Sequence, residues 1–163
     1  MSIFFLTLLL IFIDQISKFF VVSFLKDTPP LVIIENFLNF FYLENRGAAF
    51  GIFQGNMILF SIITILVLGF LIIFLIKNYR KSSIVLKTSI ALIIGGAVGN
   101  FIDRIRLNYV VDFISFKIFG RDFAVFNFAD CFIVIGTFLL MLMLIFHENP
   151  PLKKVDENKW KKN

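Results

Sequence analysis

The chain has 163 residues, of which 59% are hydrophobic and 17% charged, and its mean hydropathy is +0.92. Soluble domains are about 45–50% apolar and ~25% charged, so this composition excludes an ordinary soluble protein, a disordered chain and a coiled coil. The net charge is +5, but the densest basic residues flank apolar stretches, which argues against nucleic-acid binding. With one cysteine and one histidine, the chain lacks the residues for an intrachain disulfide, a His-rich metal site or a histidine triad.

The first apolar stretch, residues 3–25, is predicted to be a permanent transmembrane helix. Its start carries no charge and no Ala-x-Ala pattern follows it, so it lacks the marks of a cleaved signal peptide. Asp14 and Lys18 lie four residues apart, on one face of this helix. Ionisable groups in a membrane span are costly. The two residues therefore form either a structural ion pair or part of a polar pocket between helices.

Three further apolar stretches, residues 57–76, 84–103 and 129–146, are also predicted to span the membrane. Two prolines after His147 prevent the last helix from continuing. The connection at residues 77–81 is basic without any acid, and the polar tail, residues 150–163, is rich in lysine. Because basic loops stay in the cytoplasm, both termini are predicted to be cytoplasmic. Residues 26–56 and 104–128 would then face outward.

These two outer connections are too long to be simple turns. They contain β-prone segments at residues 31–34, 37–43, 109–116 and 123–126, with predicted turns at residues 27–30 and 120–122. The segments predict a small antiparallel sheet on the outer membrane surface. The whole chain, residues 1–163, is predicted to be one integral-membrane domain of the α-helical class.

Polar residues gather where the third span ends and the fourth begins. Asn100 lies within one helical turn of both Asp103 and Arg104. Asp130 lies in the first turn of the fourth span, where the helix dipole favours an acid, and Asn127 is a candidate N-cap. A charged helix end and a cap would explain each of these residues singly, without any chemical role.

The predicted topology brings three acids, Asp103, Asp112 and Asp130, to the same membrane boundary. Two carboxylates that lie close together cannot easily both ionise, so they can share a proton. One can then take a proton from water while the other donates a proton to a scissile carbonyl. The pattern therefore predicts hydrolysis of an amide bond without a metal ion or a covalent nucleophile.

Other functions fit parts of this pattern. A thiol mechanism at Cys131 lacks a base, because His147 lies about 24 Å further along the same helix. A small transporter or proton channel would use Asp14, Lys18 and Asp103 as a polar path, and ion flux would reveal it. A non-catalytic membrane scaffold would bind lipidated proteins and release no peptide.

Five motifs together resemble the bacterial lipoprotein signal peptidase family, signal peptidase II. They occur in the family's order, over nearly the whole chain, and the number of spans and the length match as well. Each motif is weak alone, but the set is specific. The motifs are Asp14-Gln15-Ile16-Ser17-Lys18, Asn45-Arg46-Gly47-Ala48-Ala49-Phe50, Gly99-Asn100-Phe101-Ile102-Asp103-Arg104, Val110-Val111-Asp112-Phe113 and Phe126-Asn127-Phe128-Ala129-Asp130.

The resemblance implies an aspartic endopeptidase of the bacterial cytoplasmic membrane. Such enzymes remove the signal peptide by cutting before a cysteine that carries a diacylglyceryl group, and globomycin-type cyclic peptides inhibit them. By this resemblance Asp112 and Asp130 form the catalytic pair. The residues that match the family's supporting and substrate-binding positions are Asp14, Lys18, Asn45, Gly47, Asn100, Asp103, Arg104 and Asn127.

The implied fold has four transmembrane helices, a small extracytoplasmic antiparallel sheet known as the β-cradle, and a short outer helix near residues 52–56. Gly47, just after Asn45, would let the backbone approach a substrate closely, or simply form a tight turn. Diacylglyceryl-modified prolipoproteins and membrane lipids are the expected partners. No cofactor, metal or nucleic acid is expected, and nothing in the sequence demands more than a monomer.

Overall fold

The computed structural model describes residues 3–47 and 56–146, which contain four helices apolar and long enough to cross a membrane. The prediction of a four-helix membrane protein is therefore confirmed. The third helix continues past the predicted end at residue 103, because the chain first leaves helical geometry at Asn108, a left-handed C-cap with φ of 61°. The helices are α1 (Ile3–Leu25), α2 (Met57–Asn78), α3 (Ile84–Leu107) and α4 (Phe128–Phe146).

The two outer connections form one antiparallel sheet of four strands, in the order β1-β2-β3-β4. The prediction of a small antiparallel sheet is confirmed, with two local differences. The second strand runs on to Asn45, and the last turn lies at Phe119–Gly120 instead of residues 120–122. Both turn residues have positive φ, as a two-residue hairpin turn requires. The strands are β1 (Leu31–Ile34), β2 (Leu38–Asn45), β3 (Val110–Ile118) and β4 (Arg121–Phe126).

The predicted short helix near residues 52–56 lies, apart from its last residue, outside the described residues. The tail at residues 150–163 lies wholly outside them.

Helix α3 packs against the three other helices, and glycines line its closest contacts. A Cβ atom added at Gly95 would lie 2.9 Å from Leu10 of α1. A Cβ atom at Gly99 would overlap the Asp14 carboxylate. Gly95 and Gly99 are four residues apart, a Gly-x-x-x-Gly spacing that lets helices approach closely. This close approach brings the polar face of α1 against the polar end of α3.

The sheet packs against the membrane helices through its third strand. Val111, Phe113 and Ile114 of β3 form a buried apolar cluster with Val21 of α1. The Phe113 ring also meets the Phe128 ring edge-to-face, with centroids 5.6 Å apart, at the start of α4. This packing fixes β3 against the ends of α1 and α4 and carries the acid between Val111 and Phe113 into the interior.

Candidate active site

Every residue predicted for the site lies in the described part of the chain, and hydrogen bonds or a shared cavity connect them all. Distant segments meet here, at the junction of the helices and the sheet. The contributors are Asp14 and Lys18 of α1, Asn45 at the end of β2, Gly47 just after it, Asn100, Asp103 and Arg104 of α3, Asp112 of β3, and Asn127 and Asp130 at the start of α4.

Asp112 and Asp130, hereafter the carboxylate pair, are held by hydrogen bonds to all four of their oxygens. Asp112 is 1% exposed and accepts from Asn127 Nδ2 at 2.6 Å and from Asn45 Nδ2 at 2.7 Å. Asp130 accepts from Asn100 Nδ2 at 2.8 Å and from the backbone N–H of Asn127 at 3.2 Å. Each carboxylate is therefore fixed in orientation by donors from two directions.

The orientation of each supporting amide is dictated by a neighbour that can only donate. Asn100 Oδ1 must face the Lys18 ammonium, 2.9 Å away, so the Asn100 NH₂ group faces the carboxylate pair. Asn45 Oδ1 accepts from the backbone N–H of Gly47 at 3.0 Å, which turns the Asn45 NH₂ group toward Asp112. The hydrogen-bond network thus aims amide donors at the carboxylates.

Asn127 and Asp130 also cap the fourth helix. The Asp130 backbone N–H donates to Asn127 Oδ1 at 2.9 Å, and the Asn127 backbone N–H donates to Asp130 Oδ2 at 3.2 Å. This reciprocal arrangement is a capping box, and it confirms Asn127 as the N-cap. The capping bond also orients the Asn127 amide, whose NH₂ group reaches Asp112 Oδ1 and Asn100 Oδ1. The Asn127 side chain therefore both caps α4 and supports the carboxylate pair.

A buried cation lies behind the pair, in a group of Lys18, Asp14 and Asp103 that we call the lysine cluster. Lys18 Nζ lies 2.9 Å from Asp14 Oδ2, from Asp103 Oδ2 and from Asn100 Oδ1. These acceptors use all three N–H donors of the ammonium group. Of the two interpretations of Asp14 and Lys18, the structure favours the polar pocket, because the ion pair is one part of a larger interhelical network.

The lysine cluster also reaches the other elements of the site. Asp14 Oδ1 accepts from the backbone N–H of Ala129 at 2.9 Å, at the start of α4. Asp103 Oδ2 accepts from the backbone N–H of Val111 at 3.2 Å, on β3. Two buried acids of the membrane helices therefore position the backbone beside each member of the carboxylate pair.

Gln15 belongs to this network, although the sequence did not single it out. Its Nε2 atom lies 3.1 Å from Asp14 Oδ2, from Asp103 Oδ1 and from the backbone oxygen of Gly99. The available signal was a polar amide next to Asp14 inside an apolar span. Such a group needs hydrogen-bond partners in a membrane, so its position alone could have indicated a role in the cluster.

The carboxylate pair borders a cavity of about 240 Å³, and both polar and apolar side chains form the remaining walls. Arg104 lines it, and its buried Nε atom has no hydrogen-bond partner among the described residues. Arg104 therefore lines the cavity with one donor unpaired among the described residues, while Asp103 contacts Lys18 and Gln15. The described residues that line the cavity are Asn45, Gly47, Asn100, Arg104, Val110, Asp112, Ala124, Val125, Phe126, Asp130, Ile133 and Val134.

Burial and a neighbouring charge shift the ionisation of Asp112. Removal from water, and then the negative charge of Asp130, raise the pKa of Asp112 to about 7. The hydrogen bonds from Asn45 and Asn127 oppose this shift, because they stabilise the charged form. Asp112 can therefore exchange a proton near neutral pH, as a group in acid–base catalysis must.

The fold and the site together define an integral membrane enzyme with paired carboxylates where its helices meet a surface sheet. A family model described as signal peptidase (SPase) II matches residues 6–146, and the chain belongs to that family of peptidases. Lipoprotein signal peptidases are among its relatives. That of Clostridioides difficile is 44% identical over 142 residues, covering 87% of this chain and 93% of the relative. That of Caldanaerobacter subterraneus subsp. tengcongensis is 43% identical, covering 83% and 90%.

Solved structures agree with this membership. A bacterial membrane enzyme solved by the in meso method at 2.3 Å resolution matches with a TM-score of 0.83 and 36% identity, covering 94% of this chain and 93% of that one. A second bacterial membrane enzyme, solved by the same method at 1.9 Å, matches with a TM-score of 0.79 and 37% identity, covering 90% and 94%.

Proposed function

We propose that this protein is a membrane aspartic endopeptidase that removes the signal peptide from diacylglyceryl-modified prolipoproteins. It would cut the peptide bond before the lipid-bearing cysteine. Membership of the signal peptidase II family and the lipoprotein signal peptidases among its relatives support this substrate class. The observation that carries the mechanism is that Asp112 and Asp130 border one cavity while separate amide donors fix both.

In this mechanism the pair shares one proton, and we assign it to Asp112, whose pKa is raised to about 7. Asp130 takes a proton from water as the water oxygen bonds to the scissile carbonyl carbon, and Asp112 gives its proton to the carbonyl oxygen. The tetrahedral intermediate then collapses. Asp130 protonates the leaving amine of the lipidated cysteine, and a hydroxyl of the intermediate returns its proton to Asp112.

Arg104 and the amides have positioning roles in this scheme. The Arg104 guanidinium binds a carbonyl oxygen of the substrate, which would satisfy its buried Nε atom. Asn45, Asn100 and Asn127 hold the carboxylates at the angle needed to share one water. The lysine cluster acts one step further back, by fixing the Asn100 amide.

The position of the cavity suits a substrate that remains in the bilayer. Ile133 and Val134 of the spanning helix α4 line it beside Asp130, so a lipidated peptide could reach the pair without leaving the membrane. With both termini in the cytoplasm, the cavity lies near the extracytoplasmic face, where the signal peptide ends. Globomycin-type cyclic peptides are proposed to block this same cavity.

The channel alternative fits these contacts less well. Lys18 donates all of its N–H groups to protein acceptors, and both acids of its cluster accept from backbone groups. A fully paired group is suited to holding structure, whereas an ion path needs groups that can change partners.

A gel-shift cleavage assay tests the proposal. Purified full-length enzyme in detergent is incubated with a diacylglyceryl-modified precursor and with the same precursor lacking the lipid. Asp112→Asn and Asp130→Asn are each expected to abolish cleavage, because neither amide can act as base or acid. Asp27→Asn is the matched control, since Asp27 is exposed and has a positive φ that asparagine also tolerates.

Loss of cleavage in both site variants, with normal cleavage by the control and no cutting of the unlipidated precursor, supports the whole proposal. Retained turnover in either site variant contradicts the pair. Equal cutting of both precursors contradicts the lipid requirement but leaves the pair intact.

A further inference from the structure

A second cavity, of about 560 Å³, lies at the end of the helix bundle away from the carboxylate pair. We call it the inner cavity. It opens between the start of α1, the end of α2 and the middle of α3, and its volume lies within the ~300–1,000 Å³ typical of small-molecule sites. It is lined by Ile3, Phe4, Thr7, Ile72, Leu75, Ile76, Tyr79 and Ile94.

The walls of the inner cavity offer almost nothing polar to a ligand. Among the described residues that line it, the only hydroxyl besides that of Tyr79 belongs to Thr7, which already donates to the backbone oxygen of Ile3 at 3.0 Å. Water does not fill an apolar cavity of this kind. Helix α2 contacts α3 around Leu68, its single buried residue, so most of α2 faces the surrounding hydrocarbon. The cavity lies on the side of this contact that faces α1.

A positive charge lies against one wall of the inner cavity. Lys87 Nζ lies 4.4 Å from the centre of the Tyr79 ring, and that ring is itself part of the cavity wall. Lys77 lies in the last turn of α2, Arg80 and Lys81 follow in the connection to α3, and residues 57–102 contain no Asp or Glu at all. Orientation in the membrane accounts for basic residues in a loop. It does not require an ammonium group fixed over an aromatic wall of a cavity.

We propose that the inner cavity binds one anionic phospholipid. One acyl chain enters between α1 and α2, and the phosphate lies at Lys87 and the basic α2–α3 connection. Under the predicted topology this is a lipid of the cytoplasmic leaflet, whose anionic lipids attract basic residues at the membrane surface. The site is separate from the proposed catalytic cavity and does not depend on the reaction assigned to it.

Native mass spectrometry of the full-length protein, released from detergent, tests this directly. Phosphatidylglycerol and phosphatidylcholine with identical acyl chains are added in equal amounts. The expected result is one retained phosphatidylglycerol molecule per chain, several-fold preferred over phosphatidylcholine. Lys87→Gln is expected to reduce that preference about fivefold, the effect of one basic residue near an anionic surface. Lys26→Gln, at the far end of α1, is the matched control and should leave it unchanged.

A pair of tryptophan variants locates the acyl chain. Ile72→Trp fills the inner cavity and should remove the retained lipid, whereas Ile62→Trp, on the same helix but outside the cavity, should not. The two positions are similarly exposed, at 44% and 50%, so we expect the two substitutions to affect the stability of α2 to a similar extent. Thermal unfolding checks that both variants fold, and Lys87→Gln decides the question if Ile72→Trp does not.

Equal retention of the two lipids, or equal loss in the Lys26 and Lys87 variants, overturns the proposal. Retained lipid in folded Ile72→Trp would do the same. A dimer mass in place of a lipid adduct would assign the surface to a second copy of the chain instead.

Discussion

Asn127 and Asp112 are joined by a 2.6 Å hydrogen bond from the amide nitrogen to the carboxylate, between the start of α4 and strand β3. The same amide caps α4 through its oxygen, which accepts from the backbone of Asp130. One side chain therefore links helix formation to the placement of both proposed catalytic carboxylates. The two roles use different atoms, so substitutions can separate them.

We expect Asn127→Ser and Asn127→Ala to lose activity alike but to differ in stability. Serine is as good an N-cap as asparagine, whereas alanine forfeits about 1 kcal/mol of capping. Neither side chain can donate an amide N–H to Asp112. The measurements are cleavage rates and thermal unfolding, followed with a thiol-reactive dye on the single cysteine, Cys131.

The activity of the serine variant decides the interpretation. If Asn127→Ser cleaves as fast as the unaltered enzyme, the amide acts on the helix alone. Loss of the hydrogen bond from the Asn127 amide should also raise the pKa of Asp112 further, because that hydrogen bond stabilises the ionised carboxylate. The alkaline limb of the pH–rate profile, measured on the residual activity of the variants, should then move to higher pH.

The raised pKa of Asp112 predicts how activity and stability depend on pH. Activity should fall as pH rises through about 7, because Asp112 loses the proton that it gives to the substrate. Stability should fall in the same direction. In the folded protein this carboxyl binds its proton up to about pH 7, whereas in the unfolded chain it releases it near pH ~4.

The folded state therefore holds the extra proton between about pH 4 and pH 7. The contribution of Asp112 to the free energy of unfolding should fall across that window by at most ~1.4 kcal/mol per pH unit. Unfolding of the unaltered enzyme and of Asp112→Asn, measured at a series of pH values, isolates this contribution. An identical pH slope for the two proteins would contradict the shifted pKa.

Arg104→Lys tests whether the guanidinium binds substrate. Lysine keeps the charge but lacks the planar fork of donors, so the bond proposed for the buried Nε atom is lost. A hydrogen bond to a charged group contributes about 1.5–3 kcal/mol, so kcat/KM should drop ~10- to 100-fold. Arg106→Lys is the control, because Arg106 is exposed and lies outside the cavity beside the carboxylate pair. Near-normal activity of Arg104→Lys would reduce Arg104 to a membrane anchor.

The sequence predicted the membrane helices well because hydropathy alone decides them. The bounds of α1 were correct at both ends. The end of α3 was placed too early, since the charges of Asp103 and Arg104 resembled a helix end although both remain inside the bundle. The turn at Phe119–Gly120 was also misplaced, because a phenylalanine with positive φ has no local signal in the sequence.

The sequence could predict which residues meet at the candidate site, but it could not predict the hydrogen bonds between them. Motifs and topology brought the carboxylates and amides to one membrane boundary. Which donor meets which acceptor depends on how α1 lies against α3. The Gly-x-x-x-Gly spacing of α3 favours a close contact but does not specify which residues of α1 lie there. This is why Gln15 was missed, although Lys18 and Gln15 together hold Asp103.

Helix packing supports this hydrogen-bond network, and a pair of glycine variants tests how far the network depends on it. A Cβ atom at Gly96 of α3 would overlap the backbone oxygen of Ala129, one residue before Asp130, whereas Gly69 of α2 has no neighbour within 4 Å. Gly96→Ala should therefore force α4 away from α3 and destabilise the protein by about 1–3 kcal/mol. Gly69→Ala should be neutral or stabilise it by up to about 1 kcal/mol, because alanine restricts the unfolded chain. Thermal unfolding measures both effects.

Activity measured on the same two proteins then separates packing from chemistry. The new methyl group would press on the backbone of Ala129, whose N–H donates to Asp14. Because Asp130 is the next residue, moving α4 at this point also moves Asp130 relative to Asn100. Gly96→Ala should lose cleavage even at temperatures where it remains folded, and Gly69→Ala should retain it. A folded and fully active Gly96→Ala would show that the carboxylate pair tolerates a displaced α4, and that the hydrogen bonds alone keep it aligned.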